Sequence, residues 1–222
     1  MAIRSRRTPL VRIALCAAVS ILTISSAPKP AGALDPDQTF AKWTKVVSIE
    51  AAFAYFGAHL NNQHAIVQAW NLSGRFSLVP FGVTRFNFLG GALDGAAEIG
   101  LEPTFERFET ERQNFAGLGL HLRYNLIHFR WGPLIPWIDA SIAPGGSDLR
   151  IGTVSNGTRL TGPFMDEIQA GIGESYFVSD NAAIYAGLQA QHSSTGGFNG
   201  GNRNFSLNTP AGLVIGVSWY LP

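Results

Sequence analysis

Apolar and polar residues alternate one for one along much of this chain, and the alternation falls into eight runs. Successive side chains of a β-strand point to opposite faces, so period-2 alternation predicts a strand with one apolar face. Run 44–57 sets Val47, Ile49, Ala51, Phe53 and Tyr55 against Ser48, Glu50, Ala52 and Ala54. Run 65–79 is less regular. Run 95–107 sets Ala97, Ile99, Leu101, Pro103 and Phe105 against Glu98, Gly100, Glu102 and Thr104. Run 114–126 is the clearest, with Ala116, Leu118, Leu120, Leu122 and Tyr124 opposing Gly117, Gly119, His121, Arg123 and Asn125. Runs 136–143, 164–176, 182–194 and 211–221 follow the same rule. In the seventh, Ile184, Ala186, Leu188 and Ala190 oppose Tyr185, Gly187, Gln189 and Gln191.

A soluble sandwich or a lipocalin-like barrel gives the same binary pattern, because its inner face is apolar. Three details favour a membrane barrel. The apolar faces persist for four or five alternate positions, about the 9–11 residues a tilted strand needs to cross a bilayer. The opposite faces mix glycine with charged and amide residues, as in a small barrel filled by its own side chains. Aromatic residues gather near strand ends, at Trp43, Tyr55, Trp131, Trp137, Tyr176, Trp219 and Tyr220, where an interfacial girdle would sit. The expected fold is all-β, an eight-stranded antiparallel transmembrane β-barrel of the outer membrane.

An even strand number puts both barrel ends on the periplasmic side. Connections 58–64, 108–113, 144–163 and 195–209 are then extracellular, and 80–94, 128–134 and 177–181 periplasmic. The 80–94 connection is long for a periplasmic turn and suggests a bent or misplaced strand.

Residues 1–33 read as a signal peptide ahead of a single barrel domain, 34–222. Arg4, Arg6, Arg7 and Arg12 precede an apolar run over 13–24, and Ala31-Gly32-Ala33 fits a small-residue cleavage site. Cys16, the single cysteine, lies inside the apolar run after bulky Leu15, a poor context for lipidation. The rest of the chain therefore offers no disulfide or thiol chemistry. Five of the 16 Lys and Arg and none of the 15 acids lie before residue 34, which leaves a net charge of −4 (11 against 15) on the remainder. Nothing there suggests a nucleic-acid partner. No later segment is apolar for long enough to be a transmembrane helix.

Two polar residues break the alternation. Even parity in run 182–194 carries on from Ala190 to His192 and Ser194, which puts both on the apolar, lipid-directed face. A polar group facing lipid costs free energy, and such residues are functional candidates. The plain alternative is that the strand leaves the membrane at Ala190, so that both are loop residues. A His and a Ser two apart on a strand share a face at roughly 6–7 Å, within reach for a base and its nucleophile. No Asp or Glu follows Asp180. A hairpin turning at 179–180 pairs residues whose numbers sum to about 358–360, which brings Asp166 opposite His192 or Ser194 on the outward face. Asn199, Asn202, Asn204 and Asn208 are the other candidates, since a neutral amide can orient a histidine or donate to an oxyanion. The bland reading of that asparagine and glycine cluster is a loop.

Glu98 and Glu102 share the inner face about 13 Å apart, too far for a carboxylate dyad, and are expected to pair with Arg123, Arg75 or His121. His59, His64 and His128 fall in connections without metal-ligand spacing. There is no phosphate loop, zinc motif or basic stripe, and neither metal nor cofactor is implied.

The segments Pro136-Trp137-Ile138-Asp139-Ala140-Ser141, Phe164-Met165-Asp166 followed by 168–172, Gln191-His192-Ser193-Ser194-Thr195-Gly196 and the closing strand 213–220 resemble the PagL family, the outer-membrane lipid A 3-O-deacylases or acyloxyacyl hydrolases. Segment 95–108 is similar to more divergent members. The resemblance is specific around His192 and Ser194, where the family reads H-x-S-N-A-G. It implies Ser194 as nucleophile and His192 as general base, on the outer wall of the barrel. The implied substrate is lipid A of lipopolysaccharide in the outer leaflet, which would lose an ester-linked hydroxy fatty acid. Thr195, followed by Gly196, stands where the family has asparagine, on the oxyanion and substrate side. The family's third member, a glutamate, has no acidic counterpart after Ser194. Asn202 matches the family's loop asparagine as an oxyanion donor, and Asn208 and Asp166 are the candidates for the third member. The departures keep a catalytically silent structural or adhesion barrel as the alternative. A homodimer is compatible with either.

Overall fold

The computed structural model describes residues 34–60, 63–88, 91–109, 113–147, 151–153, 159–160, 164–194 and 206–222. The 1–33 segment, Thr195, Gly196 and Asn202 lie outside them. A four-residue helix α1 (Pro36–Thr39) precedes β1 (Lys45–Leu60), β2 (Gln63–Leu78), β3 (Val83–Phe88), β4 (Gly91–Phe108) and β5 (Gln113–Asn125). A 3-10 turn (Ile127–Phe129) leads to β6 (Leu134–Ser147) and the short pair β7 (Ile151–Thr153) and β8 (Arg159–Leu160). The chain closes with β9 (Phe164–Ser179), β10 (Ala182–Ser194) and β11 (Ser206–Leu221).

Eight of these strands form a closed antiparallel barrel in the order β1, β2, β4, β5, β6, β9, β10, β11, with β11 pairing back onto β1. All eight predicted runs are found as strands. Several extend past their predicted ends, so that His59 and His64 pair across the β1–β2 hairpin instead of lying in a loop.

The 80–94 connection is corrected by the structure. Pairing along one edge of β4 passes from β2 (Leu78 opposite Ile99) to β3 (Val83 opposite Ala96), across a break at Val79–Gly82. Gly82 has φ +70°, a left-handed conformation that glycine takes at no steric cost. The segment is thus one interrupted strand whose far end forms a hairpin with Gly91–Gly95, beyond the point where β5 stops at Asn125 opposite Ala96.

Alternation sorts the side chains as expected. Leu118, Leu120, Leu122, Ile172, Leu188 and Leu213 point outward and are 49–63% exposed. Inside, Arg75 is within ion-pair distance of Glu50 (2.9 Å), Glu102 (2.9 Å) and Asp139 (3.1 Å), and Arg123 lies 2.8 Å from Asp139. Glu102 therefore finds its expected arginine. Glu98 lies across the β4–β5 ladder from Arg123, and its carboxylate accepts hydrogen bonds from Asn125 (2.6 Å) and Tyr220 (3.1 Å). Nearer the end opposite the termini, Glu106 accepts from Gln191, and Glu167 accepts from Asn71 and Gln169.

The expected aromatic girdle holds in part. Trp43, Trp131 and Tyr176 are exposed near strand ends. Trp137 and Tyr220 are instead buried inside the barrel. Lumenal glycines make room for Trp137: a Cβ on Gly173 would come 2.5 Å from its ring, and one on Gly187 2.7 Å. These two glycines are thus space for one large ring. The N-terminal segment adds an unforeseen feature. Leu34 and Phe40 join Val46, Val79, Ile127, Ile135, Phe177 and Tyr220 in an apolar cluster at the termini end of the lumen. Phe40 packs edge-on against Phe177 and Tyr220.

Candidate active site on the outer wall

Strands β9 and β10 meet in a two-residue turn, Asp180–Asn181, tied down from both sides. Thr39 Oγ1 donates to the Asp180 carbonyl (2.7 Å) and the Tyr220 amide to the Asn181 carbonyl (2.8 Å). After an irregularity at Ala182/Ala183 the register holds to the strand ends, from Ala183 opposite Phe177 to Ser194 opposite Asp166. That pairing has the expected numerical sum. It places Ser194, not His192, directly across from Asp166, while His192 faces Ile168.

The two adjacent serines are separated by parity. Ser193 is buried in the lumen, where Gln191 Nε2 donates to its hydroxyl (3.3 Å). Ser194 and His192 are half-exposed and share the outward parity of Ala186, Leu188 and Ala190. The pairing continues through both residues, so they are strand residues and not a loop. Asp166 is half-exposed, on the face of Ile168 (45% exposed) and Ile172 (59%). The polar group thus tops an apolar wall at the barrel end away from the termini.

Ser194 Oγ donates to the Asp166 carboxylate, 3.0 Å from Oδ1 and 3.1 Å from Oδ2. The acid expected to serve the histidine therefore contacts the serine. On the other side of β10, past a bulge between Gln189 and Gln191, Asn208 is the backbone partner of His192 and Ser206 that of Ser194. Asn208 is placed by its backbone alone. A hydroxyl, an imidazole and a carboxylate on one face supply the groups acyl transfer requires: a nucleophile, a base and an acceptor that positions them.

The remaining acids predicted inside belong to packing. Glu102 and Glu98 are held by the contacts described above, and Arg123 lies against the faces of Trp137 and Tyr185. Sequence reasoning missed the lumenal layer of Glu106, Glu167, Gln169, Gln189 and Gln191. Its residues had been visible only as the polar half of an alternation.

No protein-family model and no curated protein matches the chain. Among solved structures, the outer membrane enzyme PagL is similar in fold, with a TM-score of 0.52 at 14% identity, over 79% of this chain and 99% of that one. Neisserial surface protein A (NspA) has a TM-score of 0.46 at 17% identity, over 79% of this chain and 96% of that one. The N-terminal β-barrel domain of Pseudomonas aeruginosa OprF has 0.41 at 17%, over 79% and 97%.

Proposed function

We propose that this chain is exported by its first 33 residues, inserts in the outer membrane, and acts there as a serine esterase on the acyl chains of lipid A. The observation that carries the reading is the polar row on the membrane-directed wall. His192 and Ser194 share the outward face of β10, and Asp166 is hydrogen-bonded to Ser194. A soluble substrate has no reason to be met on an apolar wall, whereas an outer-leaflet lipid is already there.

In this reading Ser194 Oγ attacks the ester carbonyl carbon and its proton passes to His192. The carbon–oxygen bond to the sugar breaks, and the departing oxygen takes that proton. Water then attacks the acyl-serine, gives a proton to His192, and releases the fatty acid as Ser194 recovers it. Asn202, Thr195 and Gly196, following the resemblance, would line the oxyanion and substrate side, and Asn208 would orient His192. The test is to express the wild type, Ser194→Ala and His192→Ala in a lipopolysaccharide-bearing host and profile lipid A by mass. Loss of one hydroxyacyl mass with the wild type alone is expected, and unchanged deacylation in both variants would sink the proposal.

One observation favours a second reading, a catalytically silent structural or adhesion barrel. A serine whose proton is held by a carboxylate is not poised toward its histidine. Lipid A left intact by the folded wild type would select it.

A further inference from the structure

The lumen carries more acids than its cations answer. Arg75 and Arg123 stand against Glu50, Glu102 and Asp139, three carboxylates to two guanidiniums. Toward the strand tips a further acidic pair follows, Glu106 on β4 and Glu167 on β9, both almost wholly buried. Their carboxyl groups lie within hydrogen-bond reach of each other. Among the described residues no Lys, Arg or His is within ion-pair distance of either. Glu167 Oε2 is also buried there without an amide or hydroxyl donor. Two buried carboxylates lacking a counter-charge are costly to the fold. We infer that this layer of the lumen is a binding site for one calcium ion, held between Glu106 and Glu167.

Two things favour a metal ion over a shared proton. A proton between the carboxyls satisfies one oxygen on each and gives no reason for the amides around them. Gln191 Nε2 donates to both oxygens of Glu106 (3.0 and 3.1 Å). Asn71 (3.3 Å) and Gln169 donate to Glu167 Oε1. An amide carries an acceptor oxygen beside its donor nitrogen, so a half-turn of its terminal torsion exchanges a donor for a ligand. Two carboxylates and three amides then offer enough oxygens for calcium, which takes about six to eight. The second is the kind of atom on offer. This layer presents oxygen, with no thiolate or imidazole, and so suits a hard cation. Magnesium demands a strict octahedron and keeps its waters, whereas long side chains in a closed lumen suit the looser shell of calcium. The layer is also sealed. Phe108 and Met165 follow Glu106 and Glu167 at the same parity toward the strand tips, and Phe115 lies across the ladder from Glu106. All three are buried. An ion behind them is taken up as the barrel folds, and its binding adds to stability.

The experiment uses the full chain in non-ionic detergent micelles, stripped with EGTA and refolded in calcium chloride up to about 10 mM, which covers weak calcium sites. Calorimetry is expected to count one ion per chain. The urea midpoint is expected to rise with the logarithm of the calcium concentration above Kd. Magnesium chloride at equal ionic strength is expected to leave the midpoint where it is. Glu106→Gln and Glu167→Gln keep the shape and remove one charge. Each is expected to weaken calcium binding by at least about tenfold, since ligand charge sets affinity. In EGTA each should be no less stable than the wild type, because one unbalanced carboxylate is gone. A purely structural role would destabilise both variants equally with and without calcium. The wild-type response decides the matter even where a variant fails to fold. A midpoint indifferent to calcium, a rise that magnesium reproduces, or calcium dependence that survives both substitutions overturns the inference. So does a wild type stabilised by acid and not by calcium, since a proton then holds the pair. None of these outcomes bears on the esterase reading, which rests on the outer face of the wall.

Discussion

The guanidinium carbon of Arg123 lies 4.2 Å from the centroid of the Trp137 ring. Tyr185 covers the same group at 4.4 Å, and the two rings meet edge-on. The lumen thus holds a buried cation against two aromatic faces, attracted by their quadrupoles. Trp137 is wholly buried, and Gly171, Gly173 and Gly187 exist at its edge as room for the indole. Trp137→Ala should therefore leave a cavity that glycine neighbours cannot fill. A loss of about 3–5 kcal/mol is expected, measured as urea unfolding in lipid vesicles. A loss below about 1 kcal/mol would show that the ring is not packed as described.

Trp137 also shows what could and could not be read from the chain. Its parity was legible: Ile138, Ala140 and Ile142 point outward, so Trp137 must point inward. Its aromatic character near a strand end suggested the girdle instead, and parity wins, because a one-residue slip would turn the whole strand over. Tyr220 repeats the lesson against outward Leu213 and Ile215. The β9–β10 register was legible for a related reason, since a short turn fixes every later pair. The partner of the Ser194 proton was not. Which acceptor it takes depends on side-chain torsions, and these leave no trace in a binary pattern. The interruption at Val79–Gly82 was legible only as a connection too long for a turn, which suggested a bent strand, because alternation stops there and resumes against the same edge of β4.

Arg75 is within ion-pair distance of three lumenal carboxylates, with Glu50, Glu102 and Asp139 around one guanidinium. Removing it leaves three buried carboxylates with Arg123 alone to balance them, and breaking a buried network by deleting one partner costs about 3–5 kcal/mol. Arg75→Ala is expected to lose that much in the same unfolding measurement. The double variant with Glu102→Gln should recover part of it, because the two sites share one network and cannot be additive. Strict additivity would argue that the pairs do not interact.

The outward leucines separate a membrane barrel from a soluble one. Leu120 lies near the middle of β5 and is 63% exposed. On a soluble barrel, arginine at so exposed a site would be harmless. In a bilayer it should cost about 2–4 kcal/mol at mid-depth. Leu120→Arg is therefore expected to lower the urea midpoint in vesicles, and an unchanged midpoint would count against the membrane reading.

Asn208 is the cross-strand partner of His192, on the side of β10 away from Asp166. With Asp166 bonded to Ser194, the group that fixes the imidazole has to come from elsewhere, and β11 is the adjacent strand. A neutral amide can hold a histidine in one tautomer and orientation without supplying charge, so its loss should fall on the chemical step and not on substrate binding. Asn208→Ala is expected to lower kcat by about a hundredfold with KM little changed, the scale on which a single preorganised polar contact acts. Asn208→Asp, which keeps an oxygen acceptor and adds a charge, should restore much of the rate. If Asn208→Ala leaves kcat intact while Asn202→Ala abolishes it, the third member lies in the 195–205 segment and Asn208 is merely part of the ladder.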